Sequence, residues 1–140
     1  MKFIKTPVKG MCDMLPADMR LREHVLGMIK ETYGAYGFMQ IETPVMEHIE
    51  NLTSKQGGDN EKLIFKILKR GDKLNLETAK EENDLADSGR RYDLTLPLSR
   101  YYANNAANLP SPVKALQMGR VWRADRPQQG RFRQFPQCDI

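Results

Sequence analysis

Between Ala17 and Tyr36 the apolar positions recur in steps of three and four. Leu21, Val25, Met28, Ile29, Thr32, Tyr33 and Tyr36 fall on one stripe. Pro16 precedes the stripe, Asp18 lies in its first turn and Gly37 follows it, so the spacing predicts a helix over 17–36 with that stripe on the core. After Gly37 the pattern breaks into short runs. FMQIETP (38–44) reads as a strand ended by Pro44. LIFKILKR and KLNLE flank Gly71-Asp72 and read as a hairpin. Residues 77–90 are polar and nearly free of large apolar side chains, which predicts an exposed loop. RYDLT (91–95) reads as a short strand. Pro97 then suits the first turn of a helix over PLSRYYANNAAN, with Thr95 near its cap. Two strands over 113–124 and 131–140, joined by DRPQQG, complete the chain. Helix, strand, hairpin, strand, helix and long hairpin leave room for few parallel crossovers. The order predicts one α+β domain, an antiparallel sheet flanked by helices.

Composition narrows the function classes. No apolar run approaches a membrane span, and the first residues lack the continuous apolar block of a signal peptide, so a cytoplasmic protein is expected. Cys12 and Cys138 match no metal-ligand spacing and read as free thiols, and His24 and His48 stand alone, so no metal ligand is assigned. Net charge is +4, compatible with a polyanionic partner without requiring one. Its distribution is more telling. Residues 119–134 hold five arginines against Asp125 alone, a local charge equal to that of the whole chain.

Side chains alternate along strands. Arg131, Arg133, Phe135, Gln137 and Asp139 therefore share one face of the last strand, and Arg123 lies on a face opposite Trp122 on the strand before it. Phe132, Cys138 and Ile140 fall with Trp122 on the side expected to pack on helices. Arginine offers a planar fork of donors suited to phosphate or carboxylate, and an aromatic ring beside it can stack on a base. A nucleoside triphosphate held on the sheet surface and a solvated face with cross-strand ion pairs both fit this pattern. Neither GxxxxGK[ST] nor GxGxxG occurs, so a P-loop or Rossmann site has no support. Asp93 and Thr95, two apart, present a carboxylate and a hydroxyl together. They could hold a substrate ammonium group, but spacing alone favours the cap of the following helix.

GRVWRADRPQQGRFRQF (119–135) resembles motif 2 of the class II aminoacyl-tRNA synthetases, in which an aromatic-Arg-x-acid stretch leads through a variable loop to Arg-x-x-x-Phe. RPQQGRFRQF is specifically similar to the histidyl-tRNA synthetases. RYDLTLPLSRYYA resembles that family's histidine-binding segment, KGMCDMLP its N-terminal stretch, and YGFMQIETPVME its motif 1, with Pro44 as the characteristic proline. The resemblance implies the N-terminal portion of a class II catalytic domain, with motif 1 at about 37–50, a histidine-binding segment at 91–95 and motif 2 at about 119–137. It also implies a reaction: ATP-dependent activation of histidine to histidyl-adenylate, with magnesium on the phosphates, then transfer to tRNA(His) in a homodimer. By position, Arg123 would be the catalytic contact to the α-phosphate and the histidine carboxylate. Asp125 would sit near the adenine amino group, Arg131 near the γ-phosphate, and Phe135 would stack on adenine. Asp93, Leu94 and Thr95, with Gln137, would hold histidine, and the loop Arg126–Gly130 would close over ATP or meet the tRNA end.

The chain departs from the pattern in two ways. Pro136 stands where an aromatic or His is usual, and motif 3 and the anticodon-binding domain are absent, so a fragment with little activity of its own is expected. Two other readings are a non-enzymatic synthetase-like regulatory subunit of histidine biosynthesis and a basic RNA-binding module. Retention of Arg123, Asp125, Arg131 and Phe135 disfavours the first, and the lack of interleaved stacking aromatics disfavours the second.

Overall fold

Proline suits the first position of a helix, where its missing N–H would have no partner anyway. Helix α1 accordingly runs Pro16–Ala35 in the computed structural model, which describes residues 3–53 and 59–140. The expected apolar stripe is split. Ile29 and Tyr33 are half-buried, whereas Leu21 is 65% exposed and Val25, Met28 and Tyr36 also face outward. The inward line is Met19, Arg22, Leu26, Ile29 and Tyr33. It includes an arginine whose stem can lie along apolar surface, so the apolar count pointed to a neighbouring stripe.

Two three-stranded sheets follow. One has the order β1 (Met39–Ile41), β5 (Ala115–Trp122), β6 (Gln134–Asp139); the other β2 (Met46–His48), β4 (Ala86–Arg90), β3 (Lys66–Leu68). The long hairpin is as expected, with β5 and β6 antiparallel from Gln117↔Asp139 to Trp122↔Gln134. The α+β class also holds, yet β1 pairs with β5 in parallel, Met39↔Ala115 to Ile41↔Gln117. The whole second sheet lies in the crossover between them, so adjacent elements alone do not reveal this pairing.

The expected hairpin around Gly71-Asp72 does not form. Gly71–Lys73 is a short 3-10 turn closed by the Leu74 N–H on the Gly71 carbonyl, and KLNLE is not a strand. The partner of β3 is instead β4, inside the segment expected to be an exposed loop. Ala86 and Gly89 of β4 are buried because Ile49, Leu52 and Ile64 fill the space that larger side chains would take. A strand buried by its neighbours' bulk carries no apolar signature of its own. Residues 91–94 are not a strand either. They cross between the sheets, and α3 starts earlier than expected, at Thr95, running to Asn105.

That crossing segment is stitched on both sides. The Arg91 N–H donates to the Val45 carbonyl at 3.0 Å, and the Trp122 N–H donates to the Arg91 carbonyl at 3.0 Å. The buried Glu47 of β2 accepts three hydrogen bonds of 2.7–2.9 Å from Arg100 of α3. Leu94, Leu116, Val121 and Trp122 pack beneath, each almost fully buried. The second sheet, α3 and β5 thereby hold residues 91–95 against one face of the β5–β6 hairpin.

Candidate functional site

A guanidinium in a protein interior needs acceptors for its fixed fork of donors. Arg91 is 3% exposed and finds them on backbone carbonyls: Nε on Arg120 at 2.8 Å, and Nη1 on Thr43 at 2.8 Å and on Pro44 at 3.4 Å. Its Nη1 also donates to Thr43 Oγ1, which receives a second, short hydrogen bond from Gln117 Nε2. Gln117 Oε1 is buried without a partner among the described residues. Burial pulls the Arg91 guanidinium below its ordinary value, opposed by Glu42 and Glu47. The group lies directly over Gly119, where any Cβ would overlap Nη2. A side-chain-free position in mid-strand thus lets the crossing segment lie flat on β5.

Tyr92 follows Arg91 and faces the hairpin. Its carbonyl accepts Nε of Arg123 at 3.2 Å, and its ring lies 4.5 Å from that guanidinium. The Phe135 ring lies 5.2 Å from the same group, and Gln137 Oε1 accepts Nη2 at 3.5 Å. Arg123 therefore sits between two aromatic rings, an arrangement that orients the guanidinium plane. It has no carboxylate partner among the described residues, so its charge is available to an anion. The expected shared face of Arg123, Phe135 and Gln137 is what the β5–β6 register produces. Asp139 extends it, accepting Gln137 Nε2 at 2.9 Å.

Two cavities flank the Arg123–Tyr92 pair, Arg123 lining one and Tyr92 the other. One, of about 220 Å³, is lined by Arg123, Asp125, Gly130, Arg131, Phe132 and Phe135. The other, of about 250 Å³, includes Tyr92, Asp93, Thr95 and Ser99. A larger one, of about 420 Å³, lies on the reverse side among Cys12, Arg22, Arg120 and Pro136, away from the Arg123 guanidinium. The larger cavity has charged groups of its own, Asp13, Arg22 and Arg120, and shares Phe135, but only the two smaller ones border the Arg123–Tyr92 pair.

Most of the expected site residues are brought together, with changes of detail. Asp93 and Thr95 line one cavity, though as a turn and the first residue of α3 rather than along a strand. Asp93 Oδ1 also accepts the Leu96 N–H at 3.3 Å, so the capping role and the ligand-facing position coexist. Leu94 is completely buried and lines neither cavity. Asp125 and Arg131 line the other cavity but pair with each other at 2.8 Å, as the cross-strand ion-pair reading anticipates. Because β6 begins at Gln134, Phe132 escapes the expected alternation and lines the Arg123 cavity. Cys138 and Ile140, expected to pack on helices, are exposed.

Sequence reasoning missed Tyr92, Arg91, Thr43 and Gln117. Only Gly119, a glycine inside a strand pattern, offered a signal of close approach. The described residues contain no group of three or more His, Cys, Asp or Glu, and the one carboxylate of the arginine-lined cavity is already paired with Arg131. The donor set does not fit a resident magnesium ion, which would have to arrive on the phosphates of its ligand.

The chain is similar to known proteins in sequence and in fold. A sequence model of the family described as "Histidyl-tRNA synthetase" matches residues 10–139. The chain is 51% identical over 139 residues to a histidine–tRNA ligase of Leifsonia xyli subsp. xyli, covering 96% of this chain and 32% of that protein. It is 46% identical over 134 residues to a probable histidine–tRNA ligase of Tropheryma whipplei, covering 96% and 31%. The chain thus spans about a third of the length of these relatives. The crystal structure of histidyl-tRNA synthetase from Nostoc sp. PCC 7120 superposes with a TM-score of 0.74 at 30% identity, covering 96% of this chain and 28% of that one. A Bacillus halodurans structure titled as an ATP phosphoribosyltransferase regulatory subunit/histidyl-tRNA synthetase gives 0.75 over 99% of this chain and 32% of that one, but at 22% identity, a likeness of fold alone.

Proposed function

The chain belongs to the histidyl-tRNA synthetase family, and on that premise we propose that the protein activates histidine with ATP and transfers it to tRNA(His). The observation that carries the reading is Arg123, a guanidinium without a carboxylate partner among the described residues, which lines one cavity and lies against Tyr92, a wall of the other, and against Phe135. In activation a carboxylate oxygen of histidine attacks the α-phosphorus, the bond to the β-phosphate oxygen breaks, and pyrophosphate leaves. Arg123 contacts both anions, offsets their repulsion and stabilises charge growing on the phosphoryl oxygens. No covalent intermediate on the protein is needed, so catalysis is by positioning and electrostatics.

The arginine-lined cavity takes ATP in this reading. Phe135 offers its ring to adenine, Asp125 accepts from the adenine amino group, and Arg131 exchanges its partner Asp125 for the γ-phosphate. The second cavity takes histidine, whose ammonium lies against Asp93 and Thr95 with Gln137 nearby. Magnesium enters as part of the ATP complex and supplies charge neutralisation on the phosphates. The exposed Leu21, Val25, Met28, Met39 and Met46 support a surface covered in a homodimer. No described helix is long and apolar enough to cross a membrane, and a cytoplasmic location fits the substrates.

The test is histidine-dependent exchange of pyrophosphate into ATP. Arg123→Ala is expected to lower kcat/KM by about a thousandfold, while Arg120→Ala, outside both cavities, changes it little. Loss of less than about tenfold in Arg123→Ala would remove the arginine from the reaction.

A further inference from the structure

We propose that the N-terminal turn Val8–Met11 is a positioning device for the loop 125–133, with Gly10, Pro127 and Arg133 as its working parts. The nucleotide consequence rests on the functional reading above; the anchoring itself does not. The turn is closed by the Met11 N–H on the Val8 carbonyl at 2.9 Å, and Gly10 occupies its third position with φ +83°. That conformation is costly for any residue with a Cβ. It turns the Gly10 carbonyl onto the Arg133 N–H, a 2.7 Å bond to the strand-side end of the loop.

The contact is also tight. A Cβ on Gly10 would lie 2.7 Å from Pro127 Cγ and 2.8 Å from Arg133 Cγ and Cδ. Arg133 relays the anchor. Its Nε donates to the Asp125 carbonyl at 2.9 Å, and its own carbonyl accepts the Arg123 N–H at 3.0 Å. Asp125 in turn holds Arg131 at 2.8 Å, and Gln128 and Arg131 bridge each other to close the loop tip. A segment far away in sequence therefore sets the height of the loop that carries Asp125 and Arg131 over the nucleotide cavity. Arg133 gains a role as the relay between the turn, the loop and the backbone of Arg123.

Two readouts separate anchoring from its consequence. Arg131–Phe132 is a trypsin-sensitive bond inside the loop, whereas Arg126 is protected by the following proline. In the full chain, Gly10→Ala and Arg133→Met should each speed cleavage at Arg131 about tenfold, with Gly34→Ala, a helical glycine with nothing near its missing Cβ, as the unchanged control. In pyrophosphate exchange the same two variants should raise the KM for ATP about fivefold while kcat and the KM for histidine stay within about twofold. Arg133→Met keeps the aliphatic stem, removes the Nε bond to the Asp125 carbonyl and leaves the turn untouched, so it decides the matter if Gly10→Ala does not fold. Unchanged cleavage in a folded variant overturns the anchor, whatever the protein catalyses. Faster cleavage with an unmoved KM for ATP, or a wild-type protein without exchange, overturns its role toward nucleotide while leaving the anchor standing.

Discussion

Removing either partner of the Glu47–Arg100 pair breaks the same three hydrogen bonds, yet the two losses should differ. The Glu47 side chain is 2% exposed and the Arg100 side chain 34%. The hydrogen bonds it donates to Glu47 hold the Arg100 guanidinium above its ordinary value. In Arg100→Leu the apolar stem is kept, but the interior carboxylate loses the cation that donated its three hydrogen bonds. Stranding a buried charge costs about 3–5 kcal/mol. In Glu47→Gln the guanidinium is a third exposed and can turn to water, and the amide oxygen still accepts one bond, so the loss is about 1–2 kcal/mol. The double variant Glu47→Leu/Arg100→Leu should cost no more than Arg100→Leu alone, because no charge is stranded. Urea unfolding at neutral pH, followed by far-ultraviolet circular dichroism with unchanged m-values, measures all three. A Glu47→Gln loss equal to or larger than that of Arg100→Leu, or a double variant worse than either, would refute the reasoning. The pair joins β2 to the helix whose first residue is Thr95, so the same variants should weaken histidine binding in the order of their instability.

Gly119→Ala should evict the Arg91 guanidinium from its carbonyl acceptors and cost about 3–5 kcal/mol in urea unfolding, against a neutral or slightly stabilising Gly34→Ala; equal stabilities would mean that Arg91 does not depend on that gap. Asp125→Asn breaks an ion pair whose arginine side chain is 57% exposed, so stability should fall by less than about 1 kcal/mol. The same variant should raise the KM for ATP about fivefold or more, and an unchanged KM would take Asp125 out of the nucleotide contacts. Burial first, then Asp139, pushes the Cys138 thiol above its ordinary value. Its alkylation by iodoacetamide should therefore lag behind that of free cysteine at pH 8 and catch up at higher pH as thiolate forms; equal rates at pH 8 would contradict this.

Elements with their own periodicity were legible in the sequence: α1, the β5–β6 hairpin and, apart from its start, α3. Strand β4 was not, because Ala86 and Gly89 owe their burial to Leu52 and Ile64 rather than to bulk of their own. The parallel pairing of β1 with β5 depends on a distant partner, which no local pattern encodes. The site divides along the same line. Arg123, Phe135 and Gln137 could be placed on one face because β5 and β6 alternate regularly across their register. Phe132 could not, since the alternation starts only at Gln134. Tyr92 and Arg91 act where two sheets meet, and short-range spacing says nothing of that junction. Family resemblance named the residues around Arg123, but Gly119, Thr43 and Gln117, which seat the crossing segment beneath them, emerged from packing alone.

The central claim is that Arg123 contacts ATP and histidine together during activation. Pyrophosphate exchange into ATP, run with each of the twenty amino acids in turn, tests it most directly. The account predicts exchange with histidine at least about a hundredfold above any other amino acid. Equal stimulation by another amino acid, or exchange indifferent to which one is added, would contradict it.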